Sequence, residues 1–432
     1  MIESISATRF KSFREATLEL APLTLLIGAN ASGKSNFLEA VRLLTWLARG
    51  RRLDEILSAV QEEDQQVRGT VEKLPHPGGD TFQLGCRVDH GDSWNELKVT
   101  LRVTDEGLRI IGEEVTSPRQ KVPLYQVTAP ADPFTHEIQV QYNNFARGGT
   151  KPRVACSDQQ AVFTQLDTPA RFSTPKAQRT IPTVVGRYRE LLTNVLFLDP
   201  SPRRMRQYSF ISDRRLRADG SNLSSVLYAL DRAGQRDAIL AFIRALPEQD
   251  IRGLSFLNTP RNEVMLQLEE SFGGGHRSWE APLLSDGTLR VLAVAAAMLS
   301  APVGSLVVVE EVDNGVHPSR AGLLLENILS WARRRELHVL LTAHNPALLD
   351  SLPEESVPNV VFCYREPATG DSALVRLQDL EAYPQLVAQG GIGQLMTRGI
   401  LERVVKDPRT REQKQEQARQ WIERLEKQVS AG

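Results

Sequence analysis

Cysteine is scarce in this 432-residue chain. The three present, Cys86, Cys156 and Cys363, are odd in number and far apart, which excludes a disulfide framework and a zinc site built on close ligand pairs. A reducing cytoplasm is the expected setting. Charge of one sign is also missing: 52 Lys plus Arg against 53 Asp plus Glu leave a net charge of −1, too little to hold a polyanion non-specifically. Any DNA or RNA contact must therefore be local. The opening residues MIESISATRFKSF carry Glu3 and alternate apolar with polar positions, so they lack the apolar block of an export signal. The longest uncharged run, Val291 to Val309, is split by Pro302 and Gly304, and it reads as a buried helix followed by a buried strand instead of a membrane span. No membrane partner is expected.

What remains is an ordinary globular composition, 41% hydrophobic and 24% charged, on a chain roughly three times the ~150-residue norm for one domain. Two strands (Ile2 to Arg9, Ala16 to Leu20) and the apolar run Leu23 to Ile27 precede a helix from about Lys34 to Ala48. Alternating apolar and polar residues from Asp80 to Thr116, with turn signals at His90-Gly91-Asp92 and Asp105-Glu106-Gly107, predict antiparallel strands. Ser117 to Pro182, rich in Pro, Gly and Thr, predicts long loops with occasional strands such as Glu137 to Tyr142. A helix is expected over Leu223 to Ala245, then a strand pair around Gly273-Gly274-Gly275. The segments Gly287 to Leu299 (helix), Ser305 to Val309 (strand), Ser319 to Arg334 (helix) and His338 to Thr342 (strand) alternate as in a parallel sheet covered by helices. Arg409 to Val429 carries a helical apolar stripe.

Chemistry concentrates in two places. Gly28-Ala29-Asn30-Ala31-Ser32-Gly33-Lys34-Ser35 fits G-x-x-x-x-G-K-[ST] between an apolar strand and a helix. Glycines there let successive backbone N–H groups point at phosphate oxygens, the helix N-terminus favours an anion, Lys34 is placed for the β and γ phosphates, and Ser35 for Mg²⁺. Downstream, Leu306-Val307-Val308-Val309-Glu310-Glu311 is a buried strand that delivers two carboxylates at its C-terminal end. Glu310 is placed to hold magnesium and Glu311 to polarise an attacking water.

With these motifs in hand, the chain resembles the ABC-type P-loop ATPases of the SMC, RecF and OLD group, often described as AAA-family ATPases. The resemblance rests on five motifs in order: Phe10-Lys11-Ser12-Phe13, the phosphate loop through Asn36, Leu283-Leu284-Ser285-Asp286-Gly287-Thr288, the carboxylate strand continuing to Pro318, and Leu341-Thr342-Ala343-His344-Asn345-Pro346. It implies an α/β fold whose mixed sheet is covered by helices and interrupted by β-rich and helical insertions. The resulting division is head lobe I over 1–60, a β-rich and loop insertion over 61–193, a helical and strand insertion over 194–280, head lobe II over 281–365 and a helical extension over 366–432.

The resemblance also assigns roles. Lys11 and Ser12 would lie near the base or ribose of ATP, with Gly28, Asn30, Ser32, Gly33, Lys34, Ser35 and Asn36 in the phosphate loop and Mg²⁺ held by Ser35 and Glu310. Ser285, Asp286 and Gly287 would form the signature turn that reaches nucleotide bound by a second copy, Asp313 would communicate across that homodimer, and Glu311 and His344 would be catalytic. Two departures stand out: Glu310 where many relatives have Asp, and an acid, Asp286, inside the signature. The glutamine expected after lobe I is left open among Gln61, Gln65, Gln66 and Gln83. Six arginines between Arg203 and Arg217, with Tyr208 and Phe210 among them, are readable as a nucleic-acid surface, as a solvated face or as an ATP contact. No acidic Toprim motif is found after His344, so a nuclease is not expected within this chain. The overall expectation is a slow ATPase that switches a separate effector, a nuclease or toxin, as in anti-phage systems; a RecF-like DNA maintenance ATPase is the alternative.

Overall fold

The computed structural model describes residues 1–56, 68–89, 93–129, 135–243, 251–272, 275–314, 318–407 and 413. Five short strands, Leu196–Leu198, Leu306–Val309, His338–Thr342, Thr24–Ile27 and Val360–Arg365, lie side by side in parallel. They are almost continuously apolar because both faces are covered. Leu26, Leu306 and Val308 join one hydrophobic core, while Leu25, Ile27, Val307 and Val309 join a second, as the two-residue strand period requires. Helices Lys34–Ala48 and Pro175–Thr193 fill the first core; Leu223–Arg232, Asp286–Ser300 and Pro318–Arg334 fill the second.

Past Val360–Arg365 the same sheet continues through Ser372–Arg376, Phe13–Glu19 and Ile2–Phe10. It then runs antiparallel through Thr81–Val88, Glu96–Thr104, Gly107–Ser117, Gln120–Ala129, Glu137–Tyr142 and Arg153–Ser157, reaching fourteen strands. The β-rich insertion therefore extends the sheet that carries the phosphate loop. Ser372–Arg376 is a strand inside the segment expected to be a helical extension, and it joins the chain's two ends through the pair Ser372 and Phe13. Four further strands, Ser209–Phe210, Ile251–Asn258, Glu263–Phe272 and Gly275–Glu280, make a second sheet.

Two expectations need correction. The stretch Ser117 to Pro182 is not mainly loop: it holds strands Gln120–Ala129 and Arg153–Ser157 and opens helix Pro175–Thr193. That helix starts where Thr174 Oγ1 accepts from Ala177 N at 3.3 Å and Pro175 takes the first position, where its missing N–H costs nothing. Its buried stripe, Ala177, Ile181, Val184, Val185, Tyr188, Leu191 and Leu192, outweighs the helix-breaking tendency of Pro182 within it. The helix expected over Leu223 to Ala245 is two helices, Leu223–Arg232 and Arg236–Ile243, because Gly234 turns the chain at φ +80°. The run 291–309 divides as expected, the helix ending at Ser300 and the strand beginning at Leu306. Among the described residues no helix is long and apolar enough to cross a membrane. The stripe over Arg409 to Val429 lies outside the described residues.

Candidate nucleotide-binding site

Strand Thr24–Ile27 ends at Gly28, whose φ is +147°; a Cβ there would stand 2.1 Å from the Cys363 carbonyl oxygen. Gly33 closes the loop at φ +121°, with the position of a Cβ only 2.3 Å from Ser372 Oγ. Both positions therefore exclude a side chain through backbone angle and close approach together. The loop is braced from below. Ser372 N donates to Ser12 O at 2.7 Å, the Ser372 hydroxyl donates to Ser32 O at 2.5 Å and lies 2.8 Å from Ser12 Oγ, and Asn36 Nδ2 donates to Ser12 Oγ at 2.8 Å. Arg365 Nε donates to Ala31 O at 3.1 Å. Cys363, Arg365 and Ser372 were missed in the sequence; only the alternating strand patterns around them hint at their place.

Helix Lys34–Ala48 has no acid in its first turn and no side-chain cap, leaving its N-terminus open to an anion. Lys34, 7% exposed, bends back along the loop and donates to Gly28 O at 2.6 Å and Ala29 O at 3.0 Å. Burial lowers its pKa from the usual lysine value, opposed by the neighbouring Cys363 and Glu311. The Ser32 hydroxyl is buried with no hydrogen-bond partner. A desolvated cation beside an unsatisfied hydroxyl, on a loop whose two glycines leave no room for a Cβ, fits a phosphate. Asn30 and Ser35 are exposed on the same loop.

Opposite Ser35, strand Leu306–Val309 presents Glu310, which accepts from Arg42 at 2.5 Å. The Arg42 guanidinium also lies 4.6 Å from the centre of the Phe197 ring. Ser35, Glu39, Arg42, Arg68, Asp199, Arg204, Asp219 and Glu310 are among the residues lining a cavity of about 360 Å³. Asp199 opens onto it, yet its pKa is raised, first by desolvation and then by Glu310. Among the described residues no group of three or more His, Cys, Asp and Glu is arranged to hold a metal alone. The hydroxyl and carboxylate oxygens around this cavity are the hard donors that suit Mg²⁺ shared with phosphate oxygens.

Glu311 is exposed, its backbone at φ +50° and its N–H donating to Thr342 Oγ1 at 2.9 Å; Asn314 Nδ2 donates to its carboxylate. Asp313 Oδ2 accepts from the backbone N–H groups of His344 (3.0 Å) and Asn345 (2.8 Å), while its Oδ1 is buried and unpartnered. The histidine side chain is exposed. The structure thus brings Glu311, Asp313 and His344 together through strand ends that pair in parallel.

Other expected residues sit differently. The Lys11 ammonium pairs with Glu39, which is only 6% exposed, and donates to Arg68 O at 2.8 Å. Lys11 thus neutralises a buried acid, and Ser12 is part of the loop's brace. Of the four glutamines, Gln83 donates to Thr100 within the antiparallel sheet at 3.0 Å; Gln61, Gln65 and Gln66 lie outside the described residues. Ser285 caps helix Asp286–Ser300, accepting from Thr288 N at 3.1 Å, and Asp286 pairs with Arg206 at 2.6 Å. Ser285 and Asp286 are exposed and Gly287 is buried; none of the three lines the cavity beside Ser35. Much of the arginine block is engaged internally: Arg204 with Asp219, Arg206 with Asp286, Arg217 with Asp213, and Arg215 with Thr193 O.

Comparison with known proteins finds similarity in two stretches of the chain. Residues 1–73 match the family model "AAA ATPase domain", and residues 161–350 match "AAA domain, putative AbiEii toxin, Type IV TA system". The DNA replication and repair protein RecF of Gloeobacter violaceus is 45% identical over 85 residues, 19% of this chain and 22% of that protein. RecF of Synechococcus sp. (strain JA-3-3Ab) is 43% identical over 103 residues, 23% and 24% of the respective chains. The matches thus span less than a quarter of these relatives. Among solved structures, an SMC head domain from Thermotoga maritima aligns with TM-score 0.40 at 13% identity, over 87% of this chain and 98% of that one. An Smc head bound to the C-terminal domain of ScpA, from Pyrococcus furiosus, aligns with TM-score 0.48 at 11% identity, over 90% and 99%. The chain is thus similar to AAA ATPase family models in two separate stretches and, over a shorter segment, to RecF proteins.

Proposed function

We propose that this chain binds ATP with Mg²⁺ and hydrolyses it slowly, that two copies close over the nucleotide, and that this cycle switches a separate effector protein. The observation that carries the reading is the buried Lys34 ammonium on a glycine-walled loop, next to a cavity shared by Ser35 and Glu310. Lys34 would exchange its loop carbonyls for the β and γ phosphates, which gives its desolvated charge a partner. Mg²⁺, when bound, supplies charge neutralisation at the phosphate oxygens, with Ser35 and Glu310 as its expected holders. Glu311 would accept a proton from the attacking water, and Asp313 fixes the backbone that carries His344. The location of Ser285 outside the cavity supports a site completed by the signature turn of a second copy.

The toxin-system wording of the matched family supports the effector reading. A DNA maintenance role is the second reading, supported by the name of the RecF relatives and by the exposed Tyr208 and Phe210. Phosphate release and particle size in solution test the core of the proposal. Lys34→Ala is expected to lose ATP binding and turnover by about a hundredfold or more, whereas Glu311→Gln keeps ATP and accumulates as a dimer. Equal turnover by both variants and the parent chain would reject these roles. ATP-dependent, salt-sensitive retention on DNA selects the second reading; copurification with an effector selects the first.

A further inference from the structure

The signature turn carries an acid where it is expected to meet phosphate. Asp286 opens helix Asp286–Ser300 directly after the Ser285 cap, and its side chain is 65% exposed. An acid in the first turn suits the dipole of its own helix. It also places a negative charge on the helix end that a phosphate would otherwise favour. In the proposed closed dimer this end approaches the triphosphate held by a second copy, so an unbalanced carboxylate there opposes closure.

Arg206 supplies the balance. Its Nη2 donates to Asp286 Oδ1 at 2.6 Å and to Leu284 O at 2.9 Å, so one guanidinium clasps the turn on both sides of Ser285. Among the described residues this is the one ion pair that Asp286 forms. The position of the arginine is set from beneath. Met205, 1% exposed, lies in the same hydrophobic core as Leu284 and Leu289, and a Cβ on Gly220 would stand 2.8 Å from its sulfur. The short helix Pro202–Met205 begins where Ser201 O accepts from Arg204 N at 2.9 Å and Met205 N at 3.1 Å. Ser201 and Arg204 line the cavity beside Ser35. The segment 201–206 therefore runs from the chain's own nucleotide cavity to the turn it would offer to a second copy.

We infer that Arg206 is a positioning residue for nucleotide-dependent pairing: it cancels the charge of Asp286 and holds Leu284 and Asp286 on either side of Ser285, so that the signature turn meets the second copy's triphosphate without repelling it. This rests on the proposed two-copy site and adds the residue that makes an acidic signature compatible with an anionic ligand. Arg206 lies 80 positions before Asp286, so only the fold brings the acid and its counter-charge together.

The test follows dimer formation of the full chain by sedimentation with ATP and Mg²⁺, in the Glu311→Gln background expected to accumulate as the closed dimer. Adding Arg206→Met is expected to weaken dimerisation by about tenfold or more, while binding of a fluorescent ATP analogue to the monomer stays as in the background. Arg206→Lys is expected to keep part of the affinity, because it retains the charge without the planar fork of donors. Adding Asp286→Asn to Arg206→Met is expected to restore most of the lost dimerisation, since no acid then needs cancelling; a brace acting only through the Leu284 carbonyl would stay broken. Background affinity in Arg206→Met, or no recovery on adding Asp286→Asn, would overturn the inference and leave the two-copy site standing. If the Glu311→Gln chain itself stays monomeric with ATP, the two-copy reading falls, and this inference with it.

Discussion

The phosphate loop and the signature turn are built in opposite ways. The loop is enclosed: Gly28 and Gly33 press against the backbone and side chains of strands from the far end of the chain, and Lys34 is buried within it. The signature turn is more open, held by a serine cap and by half-buried Arg206, which pairs with Asp286 and donates to Leu284 O, with Leu283 beside it 67% exposed. A cradle that must grip phosphate by its backbone gains from rigidity, because its N–H groups then need no reorganisation on binding. A turn that must meet a second molecule has to remain at the surface.

The sharpest way to break this contrast is to add one carbon to the enclosed side. Gly28→Ala places a methyl group against the Cys363 carbonyl in a backbone region that disfavours side chains. It is expected to destabilise the fold by about 3 kcal/mol or more and to abolish ATP binding, as denaturant melts and a fluorescent nucleotide would report. Next in size is Lys34→Met. Burial lowers the Lys34 pKa in the folded state, so the folded chain favours the uncharged amine and carries a penalty at every pH below that lowered value. The penalty fades as pH rises from the lowered value to the ordinary one of 10.5. Lys34→Met is therefore expected to stabilise the ATP-free protein at neutral pH, as denaturant melts would report, with the gain vanishing above pH 10.5. A stability loss at neutral pH would contradict the idea that the ammonium is held without a sufficient partner. The smallest effect belongs to the open side: Ser285→Ala removes a helix cap worth about 1 kcal/mol, and nucleotide affinity of the monomer should not change.

Much of the enclosed side was legible beforehand. The G-x-x-x-x-G-K-S pattern, its preceding strand and the helix from Lys34 to Ala48 lie where the sequence put them, because a local motif fixes a local turn. The carboxylate strand and His338 to Thr342 were equally plain, since burial on both faces leaves an unbroken apolar run. Pairing partners were not. Nothing in the local sequence tells that Lys11 meets Glu39, or that Asp213, Asp219 and Asp286 take up three charges of the arginine block. Helix Pro175–Thr193 was hidden by its prolines, whose local signal is outweighed by a buried stripe visible only once the core is known.

The chain's residues alone dictated the phosphate loop, the two strand-end acids and the alternation of strand and helix around them, for each is written in spacings of a few residues. Tertiary structure alone decided that Cys363 and Ser372 wall the loop, that Arg42 engages Glu310 and that Lys11 engages Glu39. Such outcomes depend on which side chains from distant segments reach the same few ångströms of desolvated space, where charge must be balanced and volume cannot be shared.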